Sequence, residues 1–230
     1  MFPSGEVEAI VFDLDGTLLA LDGSPGHGLA TWLSGIPGVS RPDELARRFW
    51  VATETPLNYA MMLVDRARLQ RLLRPWIGRG RRLKGVARYE ALRPIAGVEP
   101  CVATLAQRYP IGVVTNRARR DASGFLERSG MSKHVRVVVT REDVWRLKPH
   151  PAALRAASRV LARPLERTLV VGDMPVDVCA ARRGSAIPVG VTSGMCTENE
   201  LRRAGAAWVL KSVRELPSLL GLASMPPSSP

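Results

Sequence analysis

Three short apolar runs along the chain share one design. Each is rich in β-branched residues, lacks polar alternation and stops at a polar or acidic residue. Glu8-Ala9-Ile10-Val11-Phe12 runs into Asp13, Ile111-Gly112-Val113-Val114 into Thr115-Asn116, and Thr168-Leu169-Val170-Val171 into Gly172-Asp173. Runs of this kind predict strands of a parallel sheet covered on both faces. Residues 135–139 predict a fourth strand, 187–191 a fifth and 207–210 a short sixth. Between them, Val98, Cys101, Val102, Leu105 and Ala106 fall on one helical face. Residues 151–161 open with a first-turn proline and continue in Ala, Leu and Arg, and 176–183 and 213–220 also suit helices. Strand and helix in alternation imply an α/β fold, a doubly wound parallel sheet with right-handed crossovers. Such sheets bind ligands at the carboxyl ends of their strands. In this sequence those ends carry the acidic and polar residues.

Residues 20–93 break the alternation. They contain no convincing strand, and Pro25, Pro37, Pro42, Pro56 and Pro75 punctuate helix-like pieces such as 43–52 and 57–73. A structureless loop of this length is rare, so the segment is expected to be an all-helical insert between the first and second core strands. The expected organisation is a core from 1–19 and 94–222, an inserted helical domain from 20–93 and a disordered Pro/Ser-rich tail from 223–230.

Composition adds bounds. A chain of 230 residues, 46% apolar and 23% charged, can bury one sizeable α/β core. No apolar run approaches the roughly 20 residues that span a bilayer. Glu6, Glu8, Asp13 and Asp15 do not suit a secretory signal. Cys101, Cys179 and Cys196 form no CxxC pair and no disulfide framework. A cytoplasmic protein is therefore expected.

The net charge of +12, from 33 basic and 21 acidic residues, favours anionic partners. Part of the excess lies in the insert, at Arg66, Arg68, Arg71, Arg74, Arg79, Arg81, Arg82, Lys84 and Arg88. A solvated helix face is the simplest reading of that cluster. Recruitment of a second anionic group on a substrate is the sharper one. Trp76 and Tyr89 lie among these residues, which keeps nucleic acid as a lesser alternative, without a nucleic-acid fold motif to support it.

The chemistry-bearing residues begin with Asp13-Leu14-Asp15-Gly16-Thr17, directly after the first strand. Two carboxylates two residues apart point the same way while the chain stays extended. Such a pair can divide the labour of attack and proton transfer. Gly16 lets the chain turn sharply. Taken singly, each motif has a bland reading: an Asp-rich turn, a Thr-Asn turn, a stray Lys-Pro, a helix N-cap at Asp173. Their joint order is specific: Asp13 to Thr17, then Thr115-Asn116, then Lys148-Pro149 within Leu147-Lys148-Pro149-His150-Pro151, then Gly172-Asp173-Met174-Pro175-Val176-Asp177. On these four motifs the chain resembles the haloacid dehalogenase superfamily of phosphohydrolases. It is most similar to the phosphoglycolate phosphatase-like branch. That branch carries stretches like Pro94-Ile95-Ala96-Gly97-Val98 and Gly190-Val191-Thr192-Ser193-Gly194, and an all-helical cap between its first two motifs.

The resemblance implies a mechanism. Asp13 is the expected nucleophile, forming an aspartyl-phosphate, and Asp15 the expected general acid and then base. Lys148 is expected to pair with Asp13 and the phosphoryl group. Gly16, Thr17, Thr115 and Asn116 are the expected phosphate-binding residues. Mg²⁺, a hard cation suited to carboxylate and phosphate oxygens, is expected on the Asp13 and Asp173 carboxylates and the Asp15 backbone carbonyl, with Asp177 in its outer shell. Asp15 argues against carbon–halogen cleavage, because the dehalogenases of the superfamily lack it. His150 is read as structural. The implied activity is Mg²⁺-dependent hydrolysis of a small phosphorylated metabolite. The alternatives are a sugar phosphomutase of the same fold and a non-catalytic binding module, with nucleic acid the first partner to try. Phosphoglycolate-type enzymes commonly place an acidic residue with a small hydroxyl soon after the first motif. Here Leu18-Leu19-Ala20-Leu21 precedes Asp22, so the resemblance supplies a chemistry and not a substrate.

Overall fold

The computed structural model describes residues 6–21, 27–66 and 93–222. The chain divides into two compact units, one of Met1–Ala20 with Arg93–Pro230 and one of Leu21–Leu92.

The first unit is built on six strands: β1 (Ala9–Phe12), β2 (Ile111–Val114), β3 (Val135–Val139), β4 (Thr168–Gly172), β5 (Ile187–Val191) and β6 (Trp208–Leu210). They are the six strands expected from the apolar runs. All pair in parallel, in the order β3-β2-β1-β4-β5-β6. Every residue of β1, β2 and β4 is buried, which is why these runs show no polar alternation. The edge strands β3 and β6 are only partly covered, and Arg136 points a charge outward from β3. Strand order reverses between β1 and β4. That reversal opens a crevice at the carboxyl ends of the two central strands.

In the second unit, α1 (His27–Ser34) packs on α2 (Pro42–Arg66), burying Ala30, Ala46 and Met62. Among the described residues this unit has no strand. Helix α2 runs unbroken through Pro56, correcting the expectation of separate pieces at 43–52 and 57–73. A proline deep in a helix removes one N–H donor, and the remaining ladder of this 25-residue helix carries across the gap. Upstream, the Thr53 hydroxyl donates to the carbonyls of Phe49 (2.8 Å) and Trp50 (3.2 Å). Arg66 is the last residue of α2. The rest of the expected piece at 67–73, the basic residues of 68–88 with Trp76 and Tyr89, and the tail 223–230 lie outside the described residues.

Among the described residues six helices accompany the sheet: α3 (Val98–Ala106), α4 (Arg119–Arg128), α5 (Ala152–Leu161), α6 (Pro175–Arg183), α7 (Glu198–Ala204) and α8 (Leu216–Leu219). Helix α3 buries Val98, Cys101, Val102 and Leu105 of the face its spacing predicts, while Ala106 is only half-buried. The single helix expected over 213–220 is instead a 3-10 turn, Val213–Glu215, followed by α8. Pro217 sits in the first turn of α8 and cannot donate backward, so the helix starts afresh there. Among the described residues no helix is long and apolar enough to cross a membrane.

The two connections to the second unit leave side by side. Ile95 donates its amide to Leu18 O (3.0 Å) and Ala20 to Arg93 O (2.9 Å). The first motif is thus pinned on both flanks, by β1 before it and by this pairing after it. Phe125, on α4 and only 1% exposed, tests the core independently of the crevice. Phe125→Ala should lower unfolding free energy by about 3–5 kcal/mol, read as a reduced urea midpoint.

Candidate active site

The crevice at the strand reversal collects the motifs. Asp13 follows β1 directly, and its amide donates to Val171 O on β4 (2.8 Å). Asp173 follows β4 directly. Asp177 stands in the first turn of α6, where its Oδ2 accepts the Met174 amide (3.1 Å) and Pro175 occupies the opening position. Lys148 reaches in between. Its Nζ donates to Asp13 Oδ1 (2.5 Å) and to Asp177 Oδ1 (2.6 Å). All four groups are buried: Asp13 is 8% exposed, Lys148 4%, Asp173 2% and Asp177 3%.

One carboxylate oxygen each from Asp13, Asp173 and Asp177 lies within 4.8 Å of the others. Three acidic groups share one ammonium, so the cluster is short of positive charge once Asp13 ionises. The donors are all hard oxygens, a set that fits Mg²⁺. Burial pushes the Asp13 carboxyl up to about 8. Lys148 works against that shift, and the neighbouring Asp177 and Asp15 charges reinforce it. Burial also works against the Lys148 charge, but Asp13 and Asp177 outweigh it and hold the ammonium above its ordinary range. The lysine is therefore a fixed cation.

Gly16 and Gly194 make room for Asp173. Gly16 has φ +72°, and a Cβ there would press into the Asp173 carboxylate and onto Gly194 Cα. A Cβ on Gly194 would overlap the same carboxylate. The segment after β5 closes this floor: Met195 donates its amide to Asp173 Oδ2 (2.9 Å), and Ser193 Oγ donates to Gly16 O (2.7 Å). The Gly16 amide donates to Leu19 O (2.8 Å). Thr17 is fully buried, and its hydroxyl has no hydrogen-bond partner among the described residues.

Thr115 lies buried at the end of β2, with its amide donating to Val139 O (2.9 Å) and its Oγ1 accepting the Arg117 amide (3.1 Å). Asn116 is half-buried, and its carbonyl accepts from Arg141 Nη1 (3.0 Å). Asp15 turns its carboxylate to Arg117. Nε donates to Oδ1 (2.9 Å) and Oδ2 (2.8 Å), and Nη2 to Oδ1 (2.5 Å). Burial opposes the Arg117 charge, yet Asp15, with Asp121 and Asp13 behind it, raises its pKa. Arg117 was not among the residues singled out from the sequence. The available signal was its place as the first cation after Thr115-Asn116. His150 is engaged locally: its Nδ1 accepts the Ala152 amide (3.2 Å) and its Nε2 faces Arg146 Nη1 (3.2 Å). The partial burial of the ring, with Arg146, Arg155 and Arg183 nearby, lowers its pKa.

Fold and crevice together define a hydrolase class. The family model described as haloacid dehalogenase-like hydrolase matches residues 10–190, across all four motifs, and the chain belongs to that family. By class it is a phosphoric monoester hydrolase. A phosphoglycolate phosphatase of Yersinia pestis is 30% identical over 234 residues, spanning 95% of each chain. The pyrophosphatase PpaX of Halalkalibacterium halodurans is 26% identical over 223 residues, spanning 94% of this chain and 98% of its own. Among solved structures, a family hydrolase from Deinococcus radiodurans, crystallised with bound phosphate and sodium, shares the fold. Its TM-score is 0.67 at 22% identity, with 95% of this chain and 99% of that chain covered.

Two outcomes follow from the site's packing and charge. Gly194→Ala should push a Cβ into the Asp173 carboxylate and destabilise the packed floor of the crevice, read as a lower melting temperature than that of the parent protein. In EDTA, the native state holds the Asp13 proton up to about pH 8, whereas the unfolded carboxyl loses it near 3.8. The native state thus binds more protons across that window, and the Asp13 contribution to stability falls as pH rises from about 4 to about 8. Urea titrations across this range should show that slope reduced in Asp13→Asn. An unchanged slope would contradict the assignment.

Proposed function

We propose that this protein hydrolyses a small phosphorylated metabolite with Mg²⁺, through a phosphoryl group carried transiently on Asp13. The observation that carries this reading is the buried Lys148, held by both Asp13 and Asp177, with Asp173 beside them at the strand reversal.

Asp13, as carboxylate, attacks phosphorus, and the bond from phosphorus to the ester oxygen breaks. The departing oxygen takes a proton from Asp15, which becomes a carboxylate. A water molecule then attacks phosphorus. Its proton returns to Asp15, the Asp13–phosphorus bond breaks, and inorganic phosphate leaves. Lys148 keeps one Asp13 oxygen oriented and offsets charge on the phosphoryl oxygens as it spreads. Asp177 holds Lys148 in place from the other side. Thr115 and Asn116 donate hydrogen bonds to phosphoryl oxygens, while Gly16 and Thr17 shape the turn beneath them. Asp13, Asp173 and the Asp15 carbonyl would hold Mg²⁺, with Asp177 in its outer shell. When bound, the ion supplies positive charge that offsets repulsion between a carboxylate and a phosphate dianion.

The net charge of +12 steers anions toward the protein. The inserted unit Leu21–Leu92 is the part of the chain that contributes substrate selection in this reading. Two relatives bear the names of a phosphoglycolate phosphatase and a pyrophosphatase, which supports a compact, strongly anionic substrate. The test is phosphate release from p-nitrophenyl phosphate and from a panel of phosphorylated metabolites. Activity should require Mg²⁺ and disappear in EDTA. Asp13→Asn should lower kcat by at least about a thousandfold. Turnover that survives EDTA, or persists in Asp13→Asn, would contradict the mechanism. Isomer formation without phosphate release would point to a mutase instead.

A further inference from the structure

Among the described residues, Arg117 is the cation that meets the Asp15 side chain, and it does so through three N–H···O contacts. The contacts are uneven. Oδ1 accepts from both Nε and Nη2, whereas Oδ2 accepts from Nε alone. A carboxyl group offers about four lone-pair sites, so Oδ2 keeps the more open one. Exposure is uneven too: the Asp15 side chain is 36% exposed and that of Arg117 13%. The guanidinium is thus the inner member of the pair and presents the carboxyl group outward. Arg117 is anchored in turn. Its amide donates to Thr115 Oγ1, and the Thr115 amide donates to Val139 O, so the ends of β2 and β3 set its position.

We propose that Arg117 is a positioning residue for proton transfer, fixing the plane of the Asp15 carboxyl group so that Oδ2 faces the departing oxygen of the substrate. The inference rests on the reading of Asp15 as the group that protonates that oxygen. Proton balance is unchanged: Oδ2 gives its proton to the ester oxygen as the phosphorus–oxygen bond breaks, and the resulting carboxylate stays paired with Arg117. The planar guanidinium fork matters here because a lysine would supply a point charge without fixing the carboxyl plane. Removing the guanidinium leaves Asp15, the more exposed member of the pair at 36%, within reach of water, so variants at position 117 should remain folded.

The test uses the full chain with Mg²⁺ and a series of phosphate monoesters, from 2,4-dinitrophenyl phosphate, whose leaving group departs without a proton, to phenyl and alkyl phosphates, which need one. The quantity measured is kcat/KM, which reports the first chemical step. Arg117→Met should lose at least about tenfold more on alkyl phosphate than on dinitrophenyl phosphate, a fraction of what general acid catalysis contributes. Arg117→Lys should show the same signature in smaller degree. Asp15→Asn should share it, and the double variant should be no worse than Asp15→Asn alone. Equal losses across the series, or additive losses in the double variant, would overturn the positioning role. Failure of the parent protein to hydrolyse any ester in the series would instead overturn the phosphatase reading, and the inference with it.

Discussion

One ammonium group buried between two carboxylates governs the site. Lys148 is almost without solvent, as are Asp13 and Asp177 on either side of it. A buried charge left without a partner is strongly destabilising, so each of the three depends on the others. This mutual dependence fixes the Asp13 carboxylate by one oxygen and ties the Lys148–Pro149 segment to the start of α6. Asp173 then adds a third acidic group to the cluster. The remaining deficit of positive charge is what gives the cluster its fit for a divalent cation and a phosphoryl group.

Topology makes that cluster possible. Asp13 and Asp173 follow adjacent central strands, and the reversal of strand order leaves their ends uncrossed by a connection. Thr115 and Arg117 arrive from the other neighbour, β2. Backbone bonds across strand ends hold the register: the Asp13 amide to Val171, the Thr115 amide to Val139. Close approach is then a steric matter. Asp173 fits because positions 16 and 194 lack side chains, which binds the first motif to the segment after β5. Residues from four distant parts of the chain thereby share one small volume.

Much of this was legible in the sequence because burial on both faces of a central parallel strand leaves a plain apolar signature. The runs ending at Asp13, Thr115 and Asp173 marked strand and direction at once, and the structure brings the ends of those strands together. Helices α4 and α7 were harder, since half of α4 is charged and its buried residues are confined to one short stretch. The continuity of α2 through Pro56 was invisible because local propensity disfavours it and the surrounding ladder overrides it. At the site, Asp177 was expected in a metal's outer shell, acting through water or by orienting neighbours, and the neighbour it holds, Lys148, lies at a 29-residue separation that no local pattern encodes. Arg117 was missed for the same reason: its partner lies 102 residues away, and an arginine after a turn carries no sign of where its side chain goes. Long-range pairings between charged groups are where local sequence reading runs out of information.

The most direct test of the central claim is whether Asp13 itself bonds the transferred group. Beryllium trifluoride bonds a carboxylate oxygen as a tetrahedral mimic of a phosphoryl group, and its fluorines report their surroundings by ¹⁹F NMR. With Mg²⁺ present, the parent protein should give a set of resolved bound-fluorine resonances that Asp13→Asn lacks. Bound resonances that persist unchanged in Asp13→Asn, or that never form in the parent protein, would contradict the account.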